Sequence, residues 1–208
     1  MRFIRLFGLI SGLFICNYSF SDVLPRVACE EFDPYFADQM TPGKLNRRNG
    51  REQLERLTFK FDVIGYGPEG RVVNTVDEVP IVALPVEGGW LLGSDRGEWG
   101  GNLVLKPKKG KTKKLLEDNI EDIYMFSYGY IATAGLSHLG MDQGSIYLID
   151  KKSYKVKKLH SLVSAPKTSW LLNNGDLLIN MQNGESSIFH KDGKVSRLIC
   201  SNFTEENG

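Results

Sequence analysis

Two glycine-rich segments hold the residues best suited to recognition or chemistry. The first, residues 94–101, combines two carboxylates, a guanidinium and an indole: Asp95, Glu98, Arg96 and Trp99. Trp and Arg are enriched among residues that dominate binding energy, and loops carry function more often than their supporting strands. The segment therefore predicts a recognition loop. The alternative is a tight hairpin in which Arg96 pairs with a neighbouring carboxylate and Trp99 covers the core.

The second segment, residues 135–144, is predicted to be a long glycine-rich loop that contains His138 and Asp142. If both loops lie on one face, these two side chains can approach the first loop, and a His with carboxylates is a possible metal or acid-base set. Their spacing matches no known ligand motif, so a shared binding face is the favoured interpretation. The predicted binding residues are Asp95, Arg96, Glu98, Trp99, His138 and Asp142.

Sequence signatures of common enzymes are missing from the chain. We find no nucleophile elbow, phosphate-binding loop, zinc signature or dinucleotide fingerprint. We therefore assign no catalytic residue, no metal site and no cofactor, and we favour a non-enzymatic protein while leaving an enzyme open.

Two runs of lysine could contact an anionic partner. They comprise Lys106, Lys108, Lys109, Lys111, Lys113 and Lys114, and then Lys151, Lys152, Lys155, Lys157 and Lys158. Basic clusters bind nucleic acid or anionic polymers. However, lysines at hairpin tips and edge strands also prevent edge pairing, which is the favoured interpretation. We do not expect a nucleic-acid partner.

The first 21 residues have the pattern of a secretory signal peptide. Arg2 and Arg5 precede an apolar stretch, and Ser19 and Ser21 are small residues ahead of a predicted cut after Ser21. The apolar stretch is shorter than a membrane span, and we predict no span elsewhere. Removing the two arginines changes the net charge from +1 to −1. We therefore predict an exported protein, periplasmic or secreted, with no general attraction to polyanions.

Two cysteines remain after the leader, Cys29 near one end and Cys200 near the other. An even count in an exported protein favours a disulfide, which would close a loop of about 170 residues. Two free thiols, or a bond between two copies, are the alternatives.

A pattern of strands recurs about every 40 to 46 residues. Three copies are predicted, with strands at residues 88–93, 102–105 and 113–116, at 128–132, 145–150 and 156–159, and at 174–179, 187–189 and 195–199. This period predicts one supersecondary unit used repeatedly, usually a propeller blade. In architecture alone the chain resembles β-propeller repeat proteins, and the resemblance implies a small or incomplete propeller. A β-sandwich or meander is the alternative.

The remaining segments complete a predicted all-β fold with a partly helical lead-in. Residues 1–21 are the leader, 22–57 an irregular lead-in with short helices at Asp33-Pro34 and Arg51–Leu57, and 58–208 the β-repeat region, packed with the lead-in as one domain. Strands predicted at 59–64, 71–76 and 79–86, with a turn at 65–70, form a degraded fourth copy.

Three functions fit these features. The first is a protein-binding protein, specifically an inhibitor or immunity-type protein that neutralises a secreted toxin or hydrolase. The second is a binding module for a cell-envelope polymer or a small ligand. The third is a hydrolase or lyase that uses a carboxylate and a histidine, with Glu98 and His138 as the candidates.

Overall fold

The protein is built almost entirely of antiparallel β-strands. The structure is a computed structural model and describes residues 24–28 and 42–199, with the backbone alone for residues 63–67. Its only helices within these ranges are α1 (Arg51–Glu55) and a single 3-10 turn at Gly97–Trp99. Neither is long and apolar enough to cross a bilayer.

The described strands are β1 Arg26–Ala28, β2 Leu45–Asn46, β3 Phe59–Gly67, β4 Gly70–Glu78, β5 Val82–Val86, β6 Gly89–Gly93, β7 Leu103–Pro107, β8 Lys113–Leu116, β9 Ile120–Phe126, β10 Gly129–His138, β11 Met141–Ile149, β12 Val156–Leu162, β13 Pro166–Leu171, β14 Leu177–Met181, β15 Ser186–Phe189 and β16 Val195–Ile199. They form three main sheets. The first has the order β2-β5-β6-β7-β8, the second β12-β11-β10-β9, and the third β1-β16-β15-β14-β13. A separate hairpin, β3-β4, lies between β2 and β5 in sequence.

The apolar residues of the second sheet form the centre of the molecule. Ile123 of β9 packs into a core with the first sheet, while Ile131 of β10 packs into a core with the third. Both side chains are fully buried. Burial of one such aliphatic side chain contributes about 1.5 to 3 kcal/mol, so packing on both faces fixes the second sheet between the other two.

The strand β1 joins the N-terminal segment to the last sheet. It pairs in parallel with β16, with Ala28 opposite Ile199. The predicted disulfide lies outside the described residues, as do the leader and the Asp33-Pro34 helix. Cys29 and Cys200 nevertheless follow directly, in sequence, the last paired residue of each strand.

The all-β class is confirmed, and all nine strands predicted in the three copies are present, as is the helix predicted from Arg51. The predicted fourth copy is wrong: β3-β4 is a separate hairpin, and β5 belongs to the first sheet. The turn predicted at 65–70 is shorter, because β3 continues to Gly67. The loop predicted at 135–144 is also wrong, because β10 and β11 run through it to a tight turn.

Candidate functional site

The turn between β10 and β11 presents a leucine in an unfavourable conformation. Leu139 has a φ of +46° and Gly140 a φ of +84°, and His138 pairs with Met141 across them. Positive φ at both central residues is the mark of a type I′ turn, which normally takes Asn, Asp or Gly. Leu139 is also 89% exposed, and Met141 beside it is half exposed. Both the backbone and the side chain of Leu139 therefore cost stability at this position.

The projecting β10-β11 hairpin is fixed at its base. Gly135 and Gly144 face each other, and a Cβ atom on Gly144 would come within 2.3 Å of the carbonyl oxygen of Ser164. The Asp142 Oδ1 accepts hydrogen bonds of 2.8 Å from the Ala165 amide and the Ser164 hydroxyl. The hydrogen bond from the Ala165 amide, followed by the one from the Ser164 hydroxyl, holds the pKa of Asp142 below its usual range. These contacts attach the hairpin to the chain between β12 and β13.

The 3-10 turn at Gly97–Trp99 lies against β10 and is organised by one buried amide. Asn119 is 3% exposed; its side chain donates to the Gly97 carbonyl at 2.7 Å and accepts from the Arg96 amide at 3.3 Å. The backbone carbonyl of Asn119 accepts from the Gly135 amide at 2.9 Å. Asn119 therefore positions both segments at once, while Trp99 stays 76% exposed.

A contact between a carboxylate and an imidazole also connects the two segments. The Glu98 Oε2 lies 2.8 Å from the His138 Nε2, and both side chains are partly exposed. Together with Trp99, Leu139 and Met141, these two residues form what we call the tip surface. The pair gives the surface a fixed polar centre beside its apolar side chains.

The other predicted site residues have different roles. The Arg96 guanidinium lies 3.8 Å from the centre of the Phe61 ring, and its Nε is 3.5 Å from Glu78, too poorly aligned to satisfy that carboxylate with a hydrogen bond. Asp95 is exposed and accepts from the Gly97 amide. Of the four groups considered for a metal or acid-base set, only Glu98 and His138 are in contact. Across residues 24–28 and 42–199, no cluster of three or more metal-ligating side chains occurs.

A concave, acidic area adjoins the tip surface. It has a volume of about 340 Å³ and contains Glu98, Glu117 and Asp118, with Lys158 as its one cationic lining residue in the described chain. The Asp118 Oδ2 accepts from the Tyr147 hydroxyl at 2.8 Å. The area can receive a basic side chain of a partner.

A second polar site lies where the three sheets meet, and we call it the junction pocket. Lys44 precedes β2, Glu121, Asp122 and Tyr124 lie on β9, and Ser169 lies on β13. The register between β9 and β10 shifts because Thr133 pairs with Asp122 but Ala134 pairs with Ile120. Glu121 is the extra residue of this β-bulge, which is how two consecutive carboxylates turn toward one network instead of opposite faces.

The junction network joins the carboxylates through hydroxyl groups. The Ser169 hydroxyl donates to Glu121 Oε2 at 2.6 Å, and the Thr133 hydroxyl donates to the same oxygen at 2.8 Å. The Tyr124 hydroxyl lies 2.7 Å from both Asp122 Oδ2 and the Ser169 carbonyl oxygen. Tyr124 has one hydrogen, so it donates to one of these two acceptors at a time.

The two carboxylates have unequal surroundings. The Lys44 ammonium lies 2.6 Å from Asp122 and 3.6 Å from the centre of the Tyr124 ring. No lysine or arginine of the described chain lies within 4.0 Å of Glu121. Burial, followed by the negative charge of Asp122, raises the pKa of Glu121 to about 7, although its two hydroxyl donors and Lys44 act in the opposite direction. Burial also raises the pKa of Tyr124 well above its usual value.

The rim of the junction pocket is basic. The Arg48 guanidinium stacks 4.9 Å from the centre of the Trp170 ring, and Lys167 lines the same opening. Both cationic side chains are exposed, and neither has an ion-pair partner in the described part of the chain. The pocket thus has one carboxylate without a cationic partner in its interior, Glu121. At its opening it has two cationic side chains without carboxylate partners, Arg48 and Lys167.

The third sheet contains hydrogen bonds in the order of a hydrolase triad. The Asp176 Oδ2 lies 3.1 Å from His190 Nδ1, and His190 Nε2 lies 2.8 Å from the Ser196 hydroxyl. Ser196 is 5% exposed, and none of the three residues lines one of the pockets described above. A catalytic serine needs space for a substrate and oxyanion donors. We therefore interpret the set as a structural connection between β14, β15 and β16.

No family model matches the chain, and neither the curated proteins nor the solved structures searched contain a similar protein. The evidence for function therefore comes from the tip surface and the junction pocket.

Sequence reasoning located the tip residues Glu98, Trp99 and His138 but not the junction pocket. One signal was available, since Glu121 and Asp122 are adjacent acids inside an otherwise apolar strand. Adjacent acids break the alternation of a half-buried strand and indicate a bulge or a special site.

Proposed function

We propose that this is an exported protein that binds another protein through its tip surface and neutralises it, as an inhibitor or immunity-type protein does. The proposal rests mainly on the exposure and the positive φ of Leu139. A residue that is exposed, apolar and held at positive φ lowers stability in the free protein, and such strained residues concentrate at functional positions. Binding would bury the side chain and recover that cost.

The neighbouring residues support the same proposal. Trp99 and Met141 add exposed apolar area on the same surface, and tryptophan is among the residues that dominate interface energies. The Glu98–His138 pair and the Asn119 amide fix the two segments before binding. A preorganised surface loses little conformational entropy when it binds.

The partner should present an apolar groove beside a basic group. Glu117 and Asp118 line the acidic area next to the tip surface; Lys158 lines it too, and Glu117 also pairs with Lys114 at 2.8 Å. Charge complementarity of this kind sets specificity and association rate more than affinity. A secreted toxin or hydrolase with a basic cleft fits these requirements.

Affinity capture with a matched variant tests the proposal. The chain from Asp22 to Gly208 is used to capture proteins from the secreted and envelope fractions of its own host, beside a Trp99→Ala, Leu139→Asn double variant. We expect one stoichiometric partner on the wild type and at least ten-fold less on the variant, and we expect the purified partner to lose activity when the wild type is added. Equal capture by both proteins, or an unaltered partner activity, contradicts the proposal.

We further infer that the three sheets are blades of an incomplete propeller. In chain order β5, β9 and β13 each begin a run of four consecutive antiparallel strands, one run in each sheet, and β9 contacts both β5 and β13. Arg48, which follows β2 of the first sheet, stacks on Trp170 of the third. These contacts bring the first and last sheets together around the junction pocket.

A further inference from the structure

We propose that the junction pocket binds a small free α-amino acid, with its ammonium group on Glu121 and its carboxylate on Arg48 and Lys167. The site is separate from the tip surface, and the inference does not depend on the proposed function.

The interior of the pocket is suited to an ammonium group. Asp122 is already neutralised by Lys44 at 2.6 Å, whereas Glu121 contacts two hydroxyl groups and no cation of the described chain. A partly buried carboxylate without a counter-ion is unfavourable, and a ligand ammonium would supply one through a charge-assisted hydrogen bond. The bulge that places Glu121 here is a feature often found beside binding sites.

The opening of the pocket is suited to a carboxylate. Arg48 and Lys167 are not paired within the described chain, and the Trp170 ring holds the Arg48 guanidinium in place. Arginine can bind a carboxylate with two parallel hydrogen bonds. A ligand with both charges satisfies the interior and the opening together, while a simple cation would be repelled by the rim and a simple anion by Glu121.

The size of the pocket limits the ligand to a small molecule. Its volume is about 110 Å³, well below the roughly 300 Å³ at which pockets for drug-sized ligands begin. Its lining is almost entirely polar, with Asn46, Thr168 and Ser169 between the charged groups. These features favour a short, polar amino acid such as alanine over one with a large apolar side chain.

Calorimetric titration with three matched compounds tests this proposal. L-Alanine carries both charges, L-alaninamide represents the amino terminus of a peptide and lacks the carboxylate, and propionate lacks the ammonium group. The full chain is titrated at about pH 8, where Glu121 is ionised. We expect L-alanine to bind with a Kd of about 1 mM or lower, and each of the other two compounds at least ten-fold more weakly.

Variants then locate the binding. Glu121→Gln preserves the shape and the hydroxyl contacts but removes the charge, and we expect it to weaken alanine binding about 10- to 100-fold. Glu69→Gln removes an exposed carboxylate from the turn between β3 and β4, outside the junction pocket, and should leave binding unchanged. The circular dichroism spectrum verifies that both variants fold.

Each of the other outcomes overturns the proposal. Equal binding of L-alanine and L-alaninamide would show a site for an amine alone, such as a peptide amino terminus. Equal binding of L-alanine and propionate would show a site for an anion alone. No heat from L-alanine up to about 10 mM, or full binding by Glu121→Gln, would show that the pocket is not an amino-acid site.

Discussion

Replacing Glu121 by glutamine should stabilise the protein at alkaline pH and not at acidic pH. The carboxyl has a pKa of about 7 in the folded protein against 4.5 in its unperturbed state. Well below pH 4.5 the carboxyl is protonated in both the folded and the unfolded protein, so it does not lower the free energy of unfolding. As the pH rises toward 7 the unfolded chain ionises first, so wild-type stability falls, and above 7 the full cost of the charged form is present.

The size of this effect follows from the difference in pKa. A difference between 4.5 and about 7 corresponds to about 3 kcal/mol at most. Since part of the Glu121 side chain remains in contact with solvent, we expect about 2 kcal/mol. The glutamine carbonyl can still accept from Ser169 and Thr133, so the variant keeps the hydrogen bonds and never takes the charge.

Urea unfolding, followed by tryptophan fluorescence over a series of pH values, measures the effect. The free energy of unfolding of Glu121→Gln should equal that of the wild type near pH 4.5 and exceed it by about 2 kcal/mol near pH 8. Glu117→Gln is the control: its hydrogen bond and charge interaction with Lys114 lower the pKa of Glu117, so its stability difference should change only below pH 4.5. A constant difference for Glu121→Gln across the series would refute the assignment.

Three further predictions test other parts of the structure. Asn119→Ala removes the amide that positions the 3-10 turn and should lower the free energy of unfolding by about 1 to 3 kcal/mol and weaken partner binding, whereas a variant that binds and unfolds like the wild type would contradict that role. Cys29 and Cys200 should form a disulfide, visible as a mass two hydrogen atoms lower than that of the reduced chain, and reduction should cost up to about 5 kcal/mol; two free thiols after oxidative refolding would show that the bond is absent. Replacing His190 by alanine should lower thermal stability, whereas a fluorophosphonate reagent should leave Ser196 unmodified; its labelling would make the third sheet a hydrolase site.

The repeat of the fold was predictable because it depends on local signals. Alternating apolar residues and turn residues marked the last three strands of each antiparallel run, β6 to β8, β10 to β12 and β14 to β16. The inner strand β9 was missed, because the acids Glu121 and Asp122 interrupt its alternation. The tip of the β10-β11 hairpin was predicted to be a loop, because its glycines, among them Gly135 and Gly144, suggested irregular backbone. In the structure, Gly135 and Gly144 lie within strands, and glycine is needed at both positions because neighbouring backbone comes too close for a side chain.

The sites were predictable only where the contributing residues are near each other in sequence or lie in equivalent repeats. Glu98 and His138 meet because the β6-β7 connection and the β10-β11 hairpin occupy corresponding positions in adjacent sheets. The junction pocket depends on Lys44, which precedes the first sheet's β2, on Glu121 of the second sheet and on Ser169 of the third. No local pattern indicates that such residues meet, because their proximity is a consequence of how the sheets pack.

The stability and the binding affinity of Leu139→Asn, measured on the same preparation, test the central claim most directly. Asparagine tolerates positive φ and exposes no apolar surface, so the variant should gain about 1 kcal/mol of stability and a higher Tm. Its affinity for the captured partner should nevertheless fall at least ten-fold, because the buried apolar anchor is lost. Higher stability with weaker binding is the result we predict. A variant that binds as tightly as the wild type would show that Leu139 is not kept for binding, and the assignment of the tip surface would be wrong.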